Sequence, residues 1–227
     1  DHLLEDAWTF GGNATFYLPF GASDDTYLSF DYFGTRFAEQ MVVDYEHGLN
    51  AIEFYALGGK RSYSNNYQVD FNVEAFRRFT VSATFRYTDA MVELEGRGLV
   101  ERPMTSRYKG VLNLQYATNL NKWIFDFTAS VNGKSRVYEF MKGLRGDDGE
   151  LLYKDGYPPV YPLLYLQVTK RFKGVDLYLG AENLTNFRQK NLVIGTAIEG
   201  MSGHVDASRP DFDASAVWGP IMGTKFY

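Results

Sequence analysis

Apolar and polar residues alternate with a period of two along most of the chain. Tyr67, Val69, Phe71, Val73 and Ala75 interleave with Gln68, Asp70, Asn72 and Glu74. Phe79, Val81, Ala83, Phe85 and Tyr87 interleave with Thr80, Ser82, Thr84, Arg86 and Thr88. The pattern recurs from Trp8 to Leu18, from Trp123 to Asn132 (Ile124 is the one apolar intruder) and from Val175 to Glu182. Successive side chains of a strand point to opposite faces, so this spacing dictates two-faced strands and leaves no stretch with sustained helical periodicity. Nine strands are predicted, at 7–19, 26–46, 60–76, 79–96, 107–118, 122–135, 161–172, 175–187 and 217–227. In the second, the apolar phase is even at Leu28, Phe30 and Tyr32 but odd at Phe37, Met41, Val43 and Tyr45. A β-bulge between 33 and 37 would produce that slip, because one extra residue exchanges the faces.

The connections alternate in length. Short ones fall at 20–25, 77–78, 119–121 and 173–174, and long ones at 47–59, 97–106, 136–160 and 188–216. In an antiparallel meander this places all short turns at one end and all long loops at the other, as in an outer-membrane β-barrel. A soluble β-sandwich would use strands of about 5–6 residues, with both inner faces closing one core. The segments here run from 11 to 21 residues, and their polar face is strongly hydrophilic. The expected fold class is therefore all-β, an antiparallel up-and-down transmembrane β-barrel. Nine such strands cannot close by themselves, because the first and ninth run in the same direction, so either the count is off by one or the chain is a segment of a larger barrel.

No apolar run exceeds four residues (54–57 and 163–166), far short of the about 20 that a membrane helix needs. The chain opens with no basic region followed by an apolar one, so no signal peptide is expected. The acidic Asp1 just ahead of a strand pattern suggests a mature or cut chain. A net charge of −5 disfavours nucleic acid as a partner. Without Cys there is no disulfide, thiolate metal site or thiol nucleophile. His2, His47 and His204 are too scattered to suggest a metal centre, and neither metal nor cofactor is expected.

Several segments carry a family resemblance. They are Asp31-Tyr32-Phe33 through Val42-Val43-Asp44-Tyr45, Ser62-Tyr63-Ser64-Asn65 leading into Gln68-Val69-Asp70, and the Phe76-Arg77-Arg78-Phe79 turn. Two more are Gly180-Ala181-Glu182-Asn183-Leu184-Thr185-Asn186 and Phe212-Asp213-Ala214-Ser215 followed by Trp218-Gly219-Pro220. Over essentially all 227 residues the chain resembles the C-terminal part of the barrel of TonB-dependent outer-membrane receptors, in the form common among Bacteroidetes-type bacteria. The resemblance implies about the last nine strands of a 22-strand barrel, without the plug domain, the TonB box or the signal peptide. Family chains continue their last strand beyond the position of Phe226-Tyr227, so the final strand departs from the pattern.

Candidate ligand contacts come from the loop 136–160 and its exit. Aromatic and cationic side chains there suit an anionic or ring-bearing ligand. Arg145, Tyr153 and Tyr157 are the candidates, with Arg136, Lys142, Lys154 and Tyr161 nearby, although a solvated loop would look the same. Arg97, Arg102 and Arg107, in or beside the preceding long loop, fit anionic lipopolysaccharide headgroups or plain solvation. Asp147-Asp148-Gly149-Glu150 lacks the ligand offsets of a calcium loop and reads as an exposed turn. Asn13-Ala14-Thr15 and Asn183-Leu184-Thr185 match glycosylation sequons but lie in strand patterns, and the second reads as a strand-end hydrogen-bonding turn.

No catalytic motif is present, so no enzymatic activity is expected. Asp70, Glu74, Arg86, Asp126 and Glu182 should face a hydrated interior or a polar plug. The resemblance implies TonB-dependent uptake of a scarce nutrient (a metal chelate, a vitamin or an oligosaccharide) across the bacterial outer membrane. Its partners would be the remaining barrel strands and plug, the TonB complex acting through the missing N-terminal part, membrane lipid and a possible surface lipoprotein. Alternatives are a small outer-membrane barrel enzyme and, further off, a soluble carbohydrate-binding β-sandwich.

Overall fold

The structure is a computed structural model and describes residues 5–47, 51–145, 149–153, 155–189 and 217–227. Its strands are β1 (Asp6–Tyr17), β2 (Tyr27–Glu39), β3 (Met41–Asp44), β4 (Glu53–Ala56), β5 (Ser62–Phe76), β6 (Phe79–Leu94), β7 (Gly98–Glu101), β8 (Tyr108–Ala117), β9 (Trp123–Asn132), β10 (Tyr161–Phe172), β11 (Val175–Glu182) and β12 (Lys225–Phe226). Nine of them form one antiparallel path, β1-β2-β5-β6-β8-β9-β10-β11-β12, in which neighbours in the sheet are consecutive segments of the meander. β7 adds to the end of β6, and β3 and β4 form a separate hairpin. This is an up-and-down β-barrel segment, open at β1 on one side and at β12 on the other. Among the described residues no helix is long and apolar enough to cross a membrane, which does not bear on crossing by strands.

The register turns the alternation of each strand into continuous rows. One row runs Phe16–Leu28–Phe71–Ala83–Leu112–Ala129–Leu164 across seven strands. The next runs Ala14–Phe30–Val69–Phe85–Gly110–Val131–Pro162. Among the described residues nothing covers this face: Phe30 is 44% exposed, Phe85 49% and Leu179 70%. The expected set Phe79, Val81, Ala83, Phe85, Trp123, Phe125 and Phe127 lies on it, and Thr80, Ser82, Thr84, Asp126 and Thr128 lie on the opposite, polar face.

Aromatic residues border the apolar face. Tyr32, Tyr67, Tyr87 and Tyr108 pair directly across four adjacent strands on the side of the long loops. Their rings are close, with centroids 5.0 Å apart for Tyr32–Tyr67 and 6.3 Å for Tyr67–Tyr87. Towards the short turns, Phe79, Tyr116 and Phe125 pair in the same way, with Phe76 stacked on Phe79 at 4.6 Å. From Tyr87 to Phe79 the strand advances eight residues. At about 3.3 Å per residue and a tilt of about 40°, that is a band of about 20 Å, close to the ~25 Å apolar belt of an outer-membrane barrel.

Three of the predicted strands are corrected at their ends. The second keeps unbroken pairing from Tyr27 to Phe37, so the bulge is not at 33–37. The irregularity lies at Ala38, where Asp6 and Ala7 face Glu39 and Phe37, and the strand breaks at Gln40 before β3 turns away to pair with β4. Phe37 thereby remains on the polar face, and it imitates a slip together with Met41 and Val43, which belong to the separate hairpin. The eighth strand stops at Glu182, because Asn183 takes a φ of +51°. The ninth shrinks to Lys225–Phe226, while Trp218 leaves the strand direction to pack against Tyr161.

Two small cores sit at the long-loop end. Val42 and Leu57 of the hairpin region join Val92 and Leu94 of β6, with Phe37, Tyr55 and Val100 beside them. By register Phe37, Val92 and Leu94 belong to the polar face, so the loops fold over that side of the sheet. The second core gathers Val137, Met141, Leu144 and Tyr153 with Trp218.

The bare face predicts an asymmetric response to substitution. In lipid vesicles, Leu112→Arg at the middle row should lower stability by about 2–4 kcal/mol, and Phe125→Arg at the border row by less. Ala83→Phe should be neutral within error, since no facing layer must accommodate it. Urea titration of the membrane-inserted protein measures all three.

Candidate functional site

The polar face is a hydrogen-bonded wall. Asn13 donates to Asp31 (2.6 Å), Thr84 to Asp70 (2.6 Å), Gln68 to Asp70 (2.7 Å) and Gln115 to Asp126 (2.6 Å). Arg86 donates twice to Gln68, at 2.7 and 2.9 Å. Glu74 accepts the Arg78 backbone N–H across the turn, and Glu182 stands opposite Lys225. Each of the five expected interior charges thus lies on this face. Their neighbours are amides, hydroxyls, backbone and one lysine, an arrangement suited to holding hydration and polar contacts. Among the described residues no group of three or more His, Asp or Glu side chains is placed to hold a metal ion.

An aromatic ring interrupts the wall. Phe33 is 52% exposed on the polar side and lines a groove of about 490 Å³ with Asp31, Asn66, Gln68 and Arg86. Gly11 lies opposite it on β1, where a Cβ would come within 2.6 Å of the Phe33 ring. The same Cβ would also meet the Tyr32 carbonyl oxygen, so a larger residue at 11 would displace the β2 backbone as well as the ring.

The long-loop end is built around one buried ion pair. Glu46 (2% exposed) follows β3, and Arg136 (9% exposed) lies 90 residues later. The guanidinium holds both carboxylate oxygens, through Nη1 at 3.2 Å and through Nη2. Arg136 Nε also donates to the Glu101 carbonyl (2.7 Å), and Glu46 accepts the Glu139 backbone N–H (2.7 Å). Three loops therefore meet on two side chains. Nearby, Asp44 is 2% exposed and accepts the Glu46 backbone N–H and the Tyr55 hydroxyl. A cavity of about 240 Å³ opens beside Asp44, Glu46, Arg102 and Tyr138.

The three expected ligand contacts occupy different settings. Tyr153 is 3% exposed, and its hydroxyl accepts the Trp218 indole N–H at 2.9 Å, so it packs the loop core. Burial pushes its hydroxyl pKa up. Tyr157 is half-buried and donates to Glu101 (2.7 Å), and that bond raises its pKa and keeps its proton in place. Arg145 is exposed and donates to the Gly149 carbonyl (2.7 Å). Among the described residues the three thus have different partners. Asp147, Asp148 and Lys154 lie outside the described residues.

The neighbouring arginines serve the loops as well. Arg97 pairs with Glu139 (3.5 Å), Arg107 with Glu101 (2.9 Å), and Arg102 lies over the Phe37 ring (5.8 Å). Glu46 gave no signal in the sequence, since it closed a predicted strand and its partner is remote. The Asn183-Leu184-Thr185 segment is the turn that was expected. Asn183 donates to the Phe187 and Met222 carbonyls and accepts from Thr185 and the Phe187 N–H.

No protein-family profile matches the sequence, and no curated protein sequence does. A solved structure does: the crystal structure of the siderophore receptor PiuA from Acinetobacter baumannii, with a TM-score of 0.53 at 16% identity. The match covers 80% of this chain and 24% of that one, so the chain spans about a quarter of the receptor's length. The shared feature is the fold, an antiparallel up-and-down β-barrel wall.

Removing one member of the buried pair should unlock the loops. Arg136→Ala leaves Glu46 charged and unpaired, and should cost about 3–5 kcal/mol of loop stability. Glu46→Leu combined with Arg136→Met should recover much of it. Hydrogen exchange over 98–107 and 136–145 reads the difference. Lys142, bonded to Glu139 at 2.7 Å, lowers the Glu139 pKa. That contribution is complete above the ordinary Glu value of about 4.3 and is lost as pH falls through the lowered value. Protection at 139–143, taken relative to the intrinsic exchange rate at each pH, should therefore fall only below about pH 4.3, and Lys142→Gln should flatten the dependence.

Proposed function

We propose that this chain is part of the wall of a TonB-dependent outer-membrane receptor that takes up a scarce nutrient: a metal chelate, a vitamin or an oligosaccharide. One observation carries the reading. A nine-strand antiparallel sheet presents an uncovered apolar face bordered by two aromatic rows, and both of its edges are open. In water such a face would have to be covered, and in lipid such edges would leave backbone groups unpaired. A barrel completed by further strands resolves both. The likeness to the barrel of a siderophore receptor supports the same assignment. The sequence motifs favour the C-terminal part of a Bacteroidetes-type barrel, with β1 pairing to a preceding strand and β12 to the first barrel strand.

On this reading the polar wall faces the plug and the passing ligand, the long loops face outward, and TonB acts on the plug to open the path. The ligand leaves chemically unchanged. Phe33, with Asp31, Gln68 and Arg86 around it, offers a ring and polar groups along that path. Arg145 and Tyr157 are the candidate ligand contacts that remain at the outer surface.

Two measurements test this on the whole protein that carries the chain. A tryptophan at Leu112 should be quenched by lipids brominated in the acyl chains, and unquenched fluorescence in bilayers would refute the membrane assignment. Protease added to intact cells should cut within 136–160 and spare Arg77-Arg78. The reverse pattern would invert the orientation.

A further inference from the structure

Between the tyrosine row and the short turns, the apolar face carries a single charged side chain among the described residues, Lys170 of β10. Its register partners are Trp123 on β9 and Leu177 on β11, one step beyond the Tyr116–Phe125–Val168–Leu179 row. The ammonium lies 4.2 Å from the Trp123 ring centroid and 5.6 Å from that of Phe172. Neither the ammonium nor the Trp123 indole N–H has a protein acceptor among the described residues, and Lys170 makes no ion pair there. Arg171, the next residue, points to the polar face, where it is satisfied by Asp176 at 3.0 Å.

An ammonium in a lipid-facing row needs a counter-charge that the protein does not provide. Its aliphatic stem can lie along the apolar surface while the head reaches the membrane boundary. The two rings hold the head in place, and the exposed Trp123 side chain carries its indole N–H on the neighbouring strand as a further donor. A point charge with a neutral N–H on its register partner suits a phosphodiester, with one oxygen on the charge and an ester or second oxygen within reach of the indole. We infer that Lys170 and Trp123, buttressed by Phe172, form a binding site for the phosphate of an anionic phospholipid in the leaflet facing the short turns. Lys122 and Lys173, in the flanking turns, add positive charge to the same rim.

The site rests on the membrane-wall reading, and the experiment separates the two. The whole protein, in detergent with phosphatidylglycerol or phosphatidylcholine added, is examined by native mass spectrometry. The parent should retain phosphatidylglycerol in preference to phosphatidylcholine. Lys170→Gln should weaken the first phosphatidylglycerol bound by about fivefold, the typical worth of one lysine near an anionic lipid surface. Arg171→Gln, one residue away on the other face, should leave it unchanged, and Lys170→Arg should keep it. Equal retention by Lys170→Gln and the parent overturns the site, as does an equal loss in Lys170→Gln and Arg171→Gln. If the tryptophan at Leu112 is quenched by brominated acyl chains in those same cases, the membrane reading stands and only the lipid site falls. If that tryptophan is not quenched, both fall.

Discussion

The antiparallel ladder is the constraint on which everything else depends. It pairs residues directly across nine strands, so the faces assigned by alternation in one strand must agree with those of its neighbours. They agree along whole rows: Phe16 to Leu164 on one side, and Asn13, Asp31, Gln68, Arg86, Lys109 and Asn132 on the other. A one-residue slip anywhere would put Asp70 or Asp126 among phenylalanines. Register is thus fixed by the cost of misplacing charge, with the short turns holding the strand ends together.

The loop end obeys a different physics. There the alternating rule breaks down, because Ala90, Val92 and Leu94 make the polar face of β6 apolar just where the hairpin of β3 and β4 folds onto it. Loops that carry real cores need specific locks, and the Glu46–Arg136 pair is one. The pair is enclosed, it makes further hydrogen bonds with the Glu101 carbonyl and the Glu139 N–H, and its two members are far apart in sequence. Buried pairs of this kind add little net stability but penalise any arrangement that separates them. They set the loop arrangement more than its free energy.

That contrast explains what could be read from the sequence. Strands such as β6, found at Phe79–Leu94 against the predicted 79–96, were legible because alternation is local and each residue reports its own face. The fate of Trp218 was not, because its partners Tyr153 and Tyr161 lie more than fifty residues away and packing leaves no periodic trace. The same blindness attached Tyr153 to a ligand: an aromatic residue in a long loop looks alike whether it faces solvent or fills a core. Phe37 misled in the opposite sense, as an apolar residue on the polar face that reads as a shift of register.

The two regions also explain how the fold persists at 16% identity to a solved receptor barrel. Positions on the uncovered apolar face have no facing layer to match, so any residue of sufficient hydrophobicity serves, and Phe, Leu, Val and Ala can exchange freely. Positions on the polar wall need only hydrogen-bonding capacity, which Asn, Gln, Thr and Ser supply interchangeably. Neither constraint preserves identity, and both preserve alternation. The residues held to a particular type are those with a particular partner: Gly11 beneath Phe33, Asn183 in its left-handed turn, and Arg136 on Glu46. A sheet of this kind is specified by classes of residue along the wall and by individual residues only where loops and turns make it close up.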